Sequence, residues 1–134
     1  MIPAEYSHQN GDTPPPLEWL DVPEDVAELA LICEDPDAPN GTFTHWALAA
    51  IPPDTGGIAA DQNVPNAVSG RNDYGTSGYG GPQPPIGETH RYFFRLYGLS
   101  EPSGLADGFS ADDLRAKVRD KAVASGTLVG TFGR

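Results

Sequence analysis

The chain has 134 residues and a formal net charge of −11, from 19 acidic and eight basic side chains, which argues against binding to nucleic acid or to an anionic membrane surface, because both attract clustered cations. This length predicts a single domain covering residues 1–134. A lone cysteine, Cys33, rules out an intrachain disulfide. The sequence shows neither a leader pattern nor an apolar run of about 18 residues, so we expect a cytoplasmic protein without stable membrane insertion.

The acidic excess also suggests a hypothesis about the cell of origin. Abundant Asp and Glu on a small domain suit a salt-rich cytosol, where dissolved ions shorten the range of repulsion between like charges. An ordinary acidic protein is the alternative, and composition leaves both open.

Four apolar segments bounded by turn-forming residues predict β-strands. They are residues 28–34 (ELALICE), 44–51 (THWALAAI), 91–99 (RYFFRLYGL) and 128–132 (LVGTF). The first stops before Asp35-Pro36 and the second before Pro52-Pro53. With 14 prolines and 16 glycines spread along the chain, the pattern favours an all-β sandwich or barrel with long loops.

Residues 110–124 have the pattern of an amphipathic helix. Ser110 followed three residues later by Asp113 resembles a capping box. Leu114, Val118 and Ala122 recur at four-residue spacing, and Gly126 is suited to a position just beyond the helix end.

Alternation along the strands places polar groups at the ends of apolar faces. The predicted faces are Leu29, Leu31, Cys33 and Asp35 in the first strand, His45, Ala47, Ala49 and Ile51 in the second, and His90, Tyr92, Phe94 and Leu96 in the third. If the first strand runs antiparallel to the other two, Asp35, His45 and His90 meet at one rim. Such a rim predicts a pocket with apolar walls and a polar mouth.

Each of these side chains also has a purely structural interpretation. His45 or His90 is compatible with a packed histidine bonded to backbone, and Asp35 before a proline commonly opens a turn. Tyr92 suits ordinary sheet packing. The common rim favours the binding-site interpretation, because it groups all four.

The segment of residues 78–88 (GYGGPQPPIGE) is long and irregular for a connection between strands. Gly80 and Gly81 would let the backbone approach a ligand, and their N–H groups would be suited to cradle an anion. The prolines would stiffen the wall. We therefore predict that this loop forms one side of an anion site.

Two motifs carry a resemblance to a known family. They are Asp35-Pro36-Asp37-Ala38-Pro39, followed by His45-Trp46, and Gly78-Tyr79-Gly80-Gly81-Pro82-Gln83-Pro84-Pro85, followed by Gly87 and His90-Arg91-Tyr92. The chain resembles the phosphatidylethanolamine-binding protein family, also called Raf kinase inhibitor-like, and within it the short bacterial and archaeal branch. The segments Pro15-Pro16-Leu17-Glu18-Trp19 and Leu128-Val129-Gly130-Thr131-Phe132 also fit, so the resemblance covers nearly the whole chain.

This resemblance implies an antiparallel β-sandwich with Greek-key features, a few peripheral helices and a small pocket for phosphate or phosphoryl head groups. By position, the implied ligand-binding residues are Asp35, Phe43, His45, Gly81, Pro84, Pro85, His90 and Tyr92. Phe43 stands where many relatives have tryptophan, and Asp37 is expected to support the loop. Relatives often have a histidine where this chain has Asp120-Lys121, and the chain ends before the tail of mammalian members, so kinase inhibition transfers poorly.

Three hypotheses about function follow. The first is a non-catalytic binding protein for a small anionic ligand, which acts on a protein partner such as a kinase or hydrolase. We expect it to use no cofactor and to be a monomer or homodimer. Its affinity for the anion should rise as His45 or His90 gains a proton. The second is a hydrolase-type enzyme that uses His45 or His90 with Asp35. The third is a metal site on the same three residues.

Overall fold

The computed structural model describes residues 1–59 and 64–134. Within them lie a short 3-10 helix, Ala4–Tyr6, and one α-helix, α1, which spans Ala111–Lys121. The strands are β1 (Leu17–Glu18), β2 (Glu28–Asp35), β3 (Phe43–Ile51), β4 (Gly57–Ile58), β5 (Val68–Ser69), β6 (Thr89–Leu99) and β7 (Ala122–Gly133).

The strands form two antiparallel sheets. The larger has the order β5-β3-β2-β6-β7, and β1 pairs with β4 in a two-stranded ribbon. Within the larger sheet, β6 returns by a long connection to lie beside β2, which gives the order β6-β2-β3-β5 of a Greek key. The mainly-β fold predicted from the sequence is confirmed.

The long predicted strands are present, but the predicted helix is too long. Ser110 caps α1 by accepting a hydrogen bond from the Asp113 N–H at 3.1 Å, as the capping pattern indicated. The helix ends at Lys121, and Ala122 already pairs with Leu99 of β6. Pairing with this 11-residue strand satisfies the backbone groups that a longer helix would have used.

Two apolar clusters cover the two faces of the larger sheet. On one face, side chains of β2, β3 and β6 pack with Ile58 of the ribbon, and Leu17 and Trp19 lie against them. On the other face, alanines and Ile32 pack against Phe109 and against Leu114 of α1. The small alanine side chains let the helix approach the sheet closely.

The predicted face of the second strand is wrong. Ala47 and Ala49 face the helix, whereas Ile51 faces the ribbon side. The register shifts between Leu29 and Leu31 of β2, opposite Ala50, which has a positive φ of 56°. A bulge adds one residue to one strand and reverses the alternation beyond it.

A second bulge places His45 on the same side as the first cluster. Cys33 pairs with Trp46 and Glu34 pairs with Thr44, so His45 is the extra residue between them. The His45 ring centroid lies 5.2 Å from that of Tyr92. The bulge therefore turns His45 toward the end of the sheet that carries Tyr92.

Candidate functional site

A pocket of about 210 Å³ lies at the end of the larger sheet where β2 finishes and β3 and β6 start. Antiparallel pairing places Asp35, the last residue of β2, opposite Phe43, the first residue of β3. Six of the predicted site residues line this pocket: Asp35, Phe43, His45, Pro85, His90 and Tyr92. The structure thus brings the carboxylate, imidazole and phenol groups together at one rim.

Gly81 and Pro84 are not among the lining residues. A Cβ atom at Gly81 would overlap the carbonyl oxygen of Tyr6, so glycine is needed there for the N-terminal segment to pack behind the loop. Pro84 is fully buried, and its carbonyl oxygen accepts a hydrogen bond from Arg134 Nε at 2.7 Å. Both residues support the wall of the pocket from behind.

The backbone cradle predicted for the two glycines does not form. The N–H of Gly80 donates to the carbonyl oxygen of His45 at 2.8 Å, and the N–H of Gly81 donates to Asp12 Oδ1 at 2.6 Å. Because both donors have protein partners, the prediction that they hold an anion is wrong. Glycine is needed at position 80 because a Cβ atom there would overlap the Tyr74 ring, and at position 81 because it would overlap the Tyr6 carbonyl oxygen.

His90 is held between two carboxylates. Its Nδ1–H donates to Asp35 Oδ2 at 2.6 Å and its Nε2–H donates to Glu88 Oε1 at 2.8 Å. The side chains of His90 and Asp35 are each only 4% exposed, whereas that of Glu88 is 51% exposed. Burial by itself lowers the pKa of His90, but the hydrogen bonds to Glu88 and Asp35 outweigh it and raise this pKa above its usual value. The two carboxylates therefore favour the imidazolium form of His90, in which both ring nitrogens carry a proton to donate.

His45 has the opposite protonation behaviour. Burial lowers its pKa, although the hydrogen bond to Gly80 acts against this shift. Nδ1–H donates to the Gly80 carbonyl oxygen at 2.7 Å. This bond fixes the tautomer and leaves the lone pair on Nε2, which has no hydrogen-bond donor among the described residues.

Tyr92 brings a hydroxyl group that no protein atom satisfies. The residue is 1% exposed, and within residues 1–59 and 64–134 its hydroxyl has no hydrogen-bond partner. Burial raises the pKa of Tyr92 well above its usual value, so the group remains a donor. A buried hydroxyl without a partner costs free energy, which a ligand oxygen in the pocket would recover.

Asp37 and Arg91 form a clamp beside the pocket. The Asp37 carboxylate accepts from Arg91 Nε at 3.0 Å, from Nη2 at 2.8 Å and from the backbone N–H at 2.9 Å. The side-chain hydrogen bond from Arg91 lowers the pKa of Asp37 to about 2. This arrangement ties the turn after β2 to the start of β6, in line with the supporting role expected of Asp37.

Sequence reasoning missed four lining residues: Ala38, Pro39, Tyr74 and Gln83. Three of them stand within the two quoted motifs, so the motifs were a usable signal. Tyr74 had none, because it lies in a turn formed by Asn72, whose Oδ1 accepts from the Tyr74 N–H at 3.0 Å. Its hydroxyl donates to the Gly81 carbonyl oxygen at 2.7 Å.

The metal hypothesis is not supported. Among the described residues, no group of three His, Cys, Asp or Glu side chains is arranged to hold a metal ion. Both ring nitrogens of His90 donate to carboxylates, so this ring has no lone pair for a metal.

A larger hollow of about 660 Å³ lies beside the start of α1. Arg115, one of the two arginines that line it, already binds Glu34 at 3.0 Å and Thr44 at 2.7 Å. This cation is therefore satisfied within the protein, whereas Tyr92, a residue in the wall of the smaller pocket, has an unsatisfied hydroxyl.

Comparison with known proteins defines the class. Residues 1–133 match the phosphatidylethanolamine-binding protein family, and the chain belongs to that family. It is 43% identical over 140 residues to a UPF0098 protein of Methanothermobacter thermautotrophicus, with 99% of this chain and 91% of that protein covered. A crystal structure from Chlamydia trachomatis, described as a candidate homologue of phosphatidylethanolamine-binding protein, superposes with a TM-score of 0.92 at 33% identity, covering 99% of this chain and 89% of the other.

A third relative bears on the predicted location. It is named as a candidate lipoprotein, LppC, of Mycobacterium tuberculosis, and is 38% identical over 132 residues, covering 98% of this chain and 65% of that protein. The described part of this chain contains no helix of the length and apolarity that a membrane crossing requires. The cytoplasmic location predicted above stays a prediction.

Proposed function

We propose that this protein is a non-catalytic binding protein whose pocket takes up a small oxyanion, either phosphate or a phosphoryl head group. The pocket at the end of β2, β3 and β6 is the proposed site, with Asp35, Phe43, His45, Pro85, His90 and Tyr92 in its wall. The family name supports a ligand of this class. The net charge of −11 supports a role away from nucleic acid. The proposal also places the protein in the cytoplasm with a protein partner, whose chemistry the site does not define.

The observation that carries the proposal is the unsatisfied hydroxyl of Tyr92. A protonated phenol donates to an oxygen atom, and a phosphoryl group presents several oxygens at once. His90 adds an imidazolium on the same strand, two residues away on the same face. One oxyanion would then have the Tyr92 hydroxyl as a donor and the positive charge of His90 close by, although both N–H groups of that ring are bonded to carboxylates.

The enzyme hypothesis receives less support. A general base needs a lone pair, and His90 has none while both of its nitrogens donate. Cys33 is buried, and burial raises the pKa of its thiol, which disfavours the thiolate. Neither His90 nor Cys33 therefore has the properties of an activated base or nucleophile. His45 keeps a lone pair on Nε2, but its Nδ1–H donates to the Gly80 carbonyl oxygen and not to Asp35, so the pair of His45 with an orienting Asp35 is not formed.

Replacing Tyr92 with phenylalanine tests the proposal. We expect Tyr92→Phe to weaken binding of sulfate and inorganic phosphate about tenfold or more, because one hydrogen bond to a charged group is lost. Isothermal titration with each anion, and with phosphoethanolamine, measures the loss. The hydroxyl has no partner in the described protein, so the variant should be at least as stable as the parent, as thermal unfolding would show.

Tyr97→Phe is the matched control. Tyr97 lies on β6 as well, but it packs against the cluster on the helix side of the sheet. It should leave anion binding unchanged. Equal binding by the parent and Tyr92→Phe, or anion-induced NMR shifts confined to residues around Arg115, would exclude the proposed pocket.

A further inference from the structure

Glu88 is not among the residues that line the pocket, but it bonds to His90, which does line it, and so occupies a donor that an oxyanion would use. His90 Nε2–H points to Glu88 Oε1 at 2.8 Å, while Nδ1–H is held by Asp35 at 2.6 Å. No N–H of this imidazolium is therefore free. A ligand that binds His90 must replace one of the two carboxylates.

The two carboxylates differ in how firmly they are held. Asp35 is buried, and its second oxygen accepts the backbone N–H of Asp37 at 2.8 Å. The Glu88 side chain is about half exposed, and His90 is its only hydrogen-bond partner within the described chain. Glu88 is therefore the carboxylate that can leave.

The backbone around Glu88 is fixed while its side chain projects into water. Its N–H donates to the Pro85 carbonyl oxygen at 3.0 Å, and its own carbonyl oxygen accepts from the Arg134 N–H at 3.2 Å. The preceding Gly87 has a positive φ of 90°, which suits the tight turn. A change of side-chain rotamer is enough to release His90, without movement of the loop.

The charges around His90 favour exchange over simple addition. One imidazolium between two carboxylates carries a net charge of about −1, so an added anion meets repulsion. If Glu88 turns into water as the anion arrives, one negative charge leaves His90 as the charge of the anion enters, so the repulsion is smaller than for simple addition. An oxyanion also gains the Tyr92 hydroxyl, which Glu88 does not reach.

From these contacts we propose that Glu88 is a built-in competitor that occupies the oxyanion position on His90 and must be displaced before ligand binds. The inference rests on the proposed function and adds its regulation. Glu88 thereby lowers the affinity of the pocket for every anion that must displace it. It also selects oxyanions that reach both His90 and Tyr92, because a simple carboxylate would only replace the hydrogen bond that Glu88 already makes to His90.

The test compares Glu88→Gln and Glu88→Ala with the parent in isothermal titrations with sulfate and with acetate. Removing the charge that competes for His90 should tighten sulfate binding about three- to tenfold. We expect no larger effect, because the Glu88 side chain is half exposed and solvent weakens its interaction with His90. Glu101→Gln is the control, since it removes the same charge at the opposite end of β6, where Glu101 pairs with Lys121 at 2.8 Å. It should leave sulfate affinity within the error of the parent.

Each result decides between clear alternatives. Tighter sulfate binding by both Glu88 variants, or binding by the variants alone, supports the inference. Equal or weaker binding overturns it and indicates that Glu88 serves to keep His90 protonated. Acetate binding the parent as tightly as sulfate contradicts the proposed selectivity. If neither the parent nor the variants bind sulfate in the pocket, the proposed function fails together with the inference.

Discussion

His90 keeps its proton because its two ring N–H groups are bound by Asp35 and Glu88. These hydrogen bonds outweigh burial, so the pKa of His90 is raised in the folded protein. The resulting contribution to the free energy of unfolding is fully present below the unfolded pKa of about 6.5. It is lost as the pH rises through the higher folded pKa. His45, whose pKa burial lowers, contributes with the opposite sign and is penalised in acid.

The protonation of His90 predicts a pH dependence of ligand binding. We expect sulfate affinity to decrease as the pH rises above about 6.5, through the raised pKa of His90, because the imidazolium becomes neutral. The titratable groups bonded to the ring are Asp35 of β2 and Glu88 of the preceding turn. His45 of β3 lines the same pocket, and the nearby Asp37–Arg91 pair keeps its charges.

Sulfate is the suitable probe, because its own charge does not change between about pH 5 and about pH 9. Isothermal titration across that range measures the effect. Affinity independent of pH, or rising in alkali, would contradict capture by His90.

At the scale of elements, the decisive feature is the connection from β5 to β6. It starts at the edge strand β5, crosses the ends of β3 and β2, and enters β6, which lies beside β2 on the side away from β5. Its length is therefore needed to complete the Greek key, and its path places Gln83 and Pro85 over the pocket. The N-terminal segment locks it in place, since the His8 N–H donates to the Pro82 carbonyl oxygen at 3.0 Å.

Gly81 makes this packing testable. A Cβ atom there would overlap the Tyr6 carbonyl oxygen and crowd the backbone of Ser7 and His8. We expect Gly81→Ala to lower the free energy of unfolding by about 1–3 kcal/mol through overpacking. Urea denaturation measures the change.

Gly126→Ala is the comparison variant, because nothing lies within 4 Å of the added Cβ on the exposed strand β7. Its free energy of unfolding should be unchanged or raised by about 0.5 kcal/mol. If the two variants are equally stable, close packing of the N-terminal segment is not what the glycine provides.

For the whole molecule, the net charge of −11 is the dominant property. Like charges repel more strongly in the compact state than in the unfolded chain, and dissolved salt weakens that repulsion. The cluster of Asp35, Glu88 and His90 beside the pocket contains two carboxylates and one imidazolium, so it adds one net negative charge. Charge therefore affects both stability and ligand capture.

This charge predicts that potassium chloride stabilises the fold. We expect the Tm to rise steadily from about 0.1 M to about 2 M salt, as the Debye length falls to a few ångströms. A neutral osmolyte at matched osmolality separates screening from general exclusion and should give a smaller rise. A Tm that falls with added salt would show that surface ion pairs outweigh the repulsion, against the hypothesis of a salt-rich cytosol.

The sequence by itself determined the long strands, the cap of α1 and the identity of six pocket residues. Apolar runs that end at proline and glycine specify strands locally, and the motifs around Asp35 and His90 carry the family resemblance. Because the polar groups stand at strand ends, antiparallel pairing alone was enough to predict a common rim.

Only the tertiary structure decided what each group in that rim does. Two bulges in β3 reversed the alternation and turned His45 toward Tyr92. The His45 carbonyl oxygen of β3 and Asp12 of the N-terminal segment accept the N–H groups of Gly80 and Gly81, which takes both donors away from any ligand role. The hydrogen-bond partners of His90, and the lack of a protein partner for the Tyr92 hydroxyl within the described residues, depend on contacts between distant parts of the chain. The alternation of apolar residues and the strand propensity depend on a residue and its neighbours in sequence. The hydrogen-bond partner of a side chain depends instead on which distant segments pack against it in the folded protein.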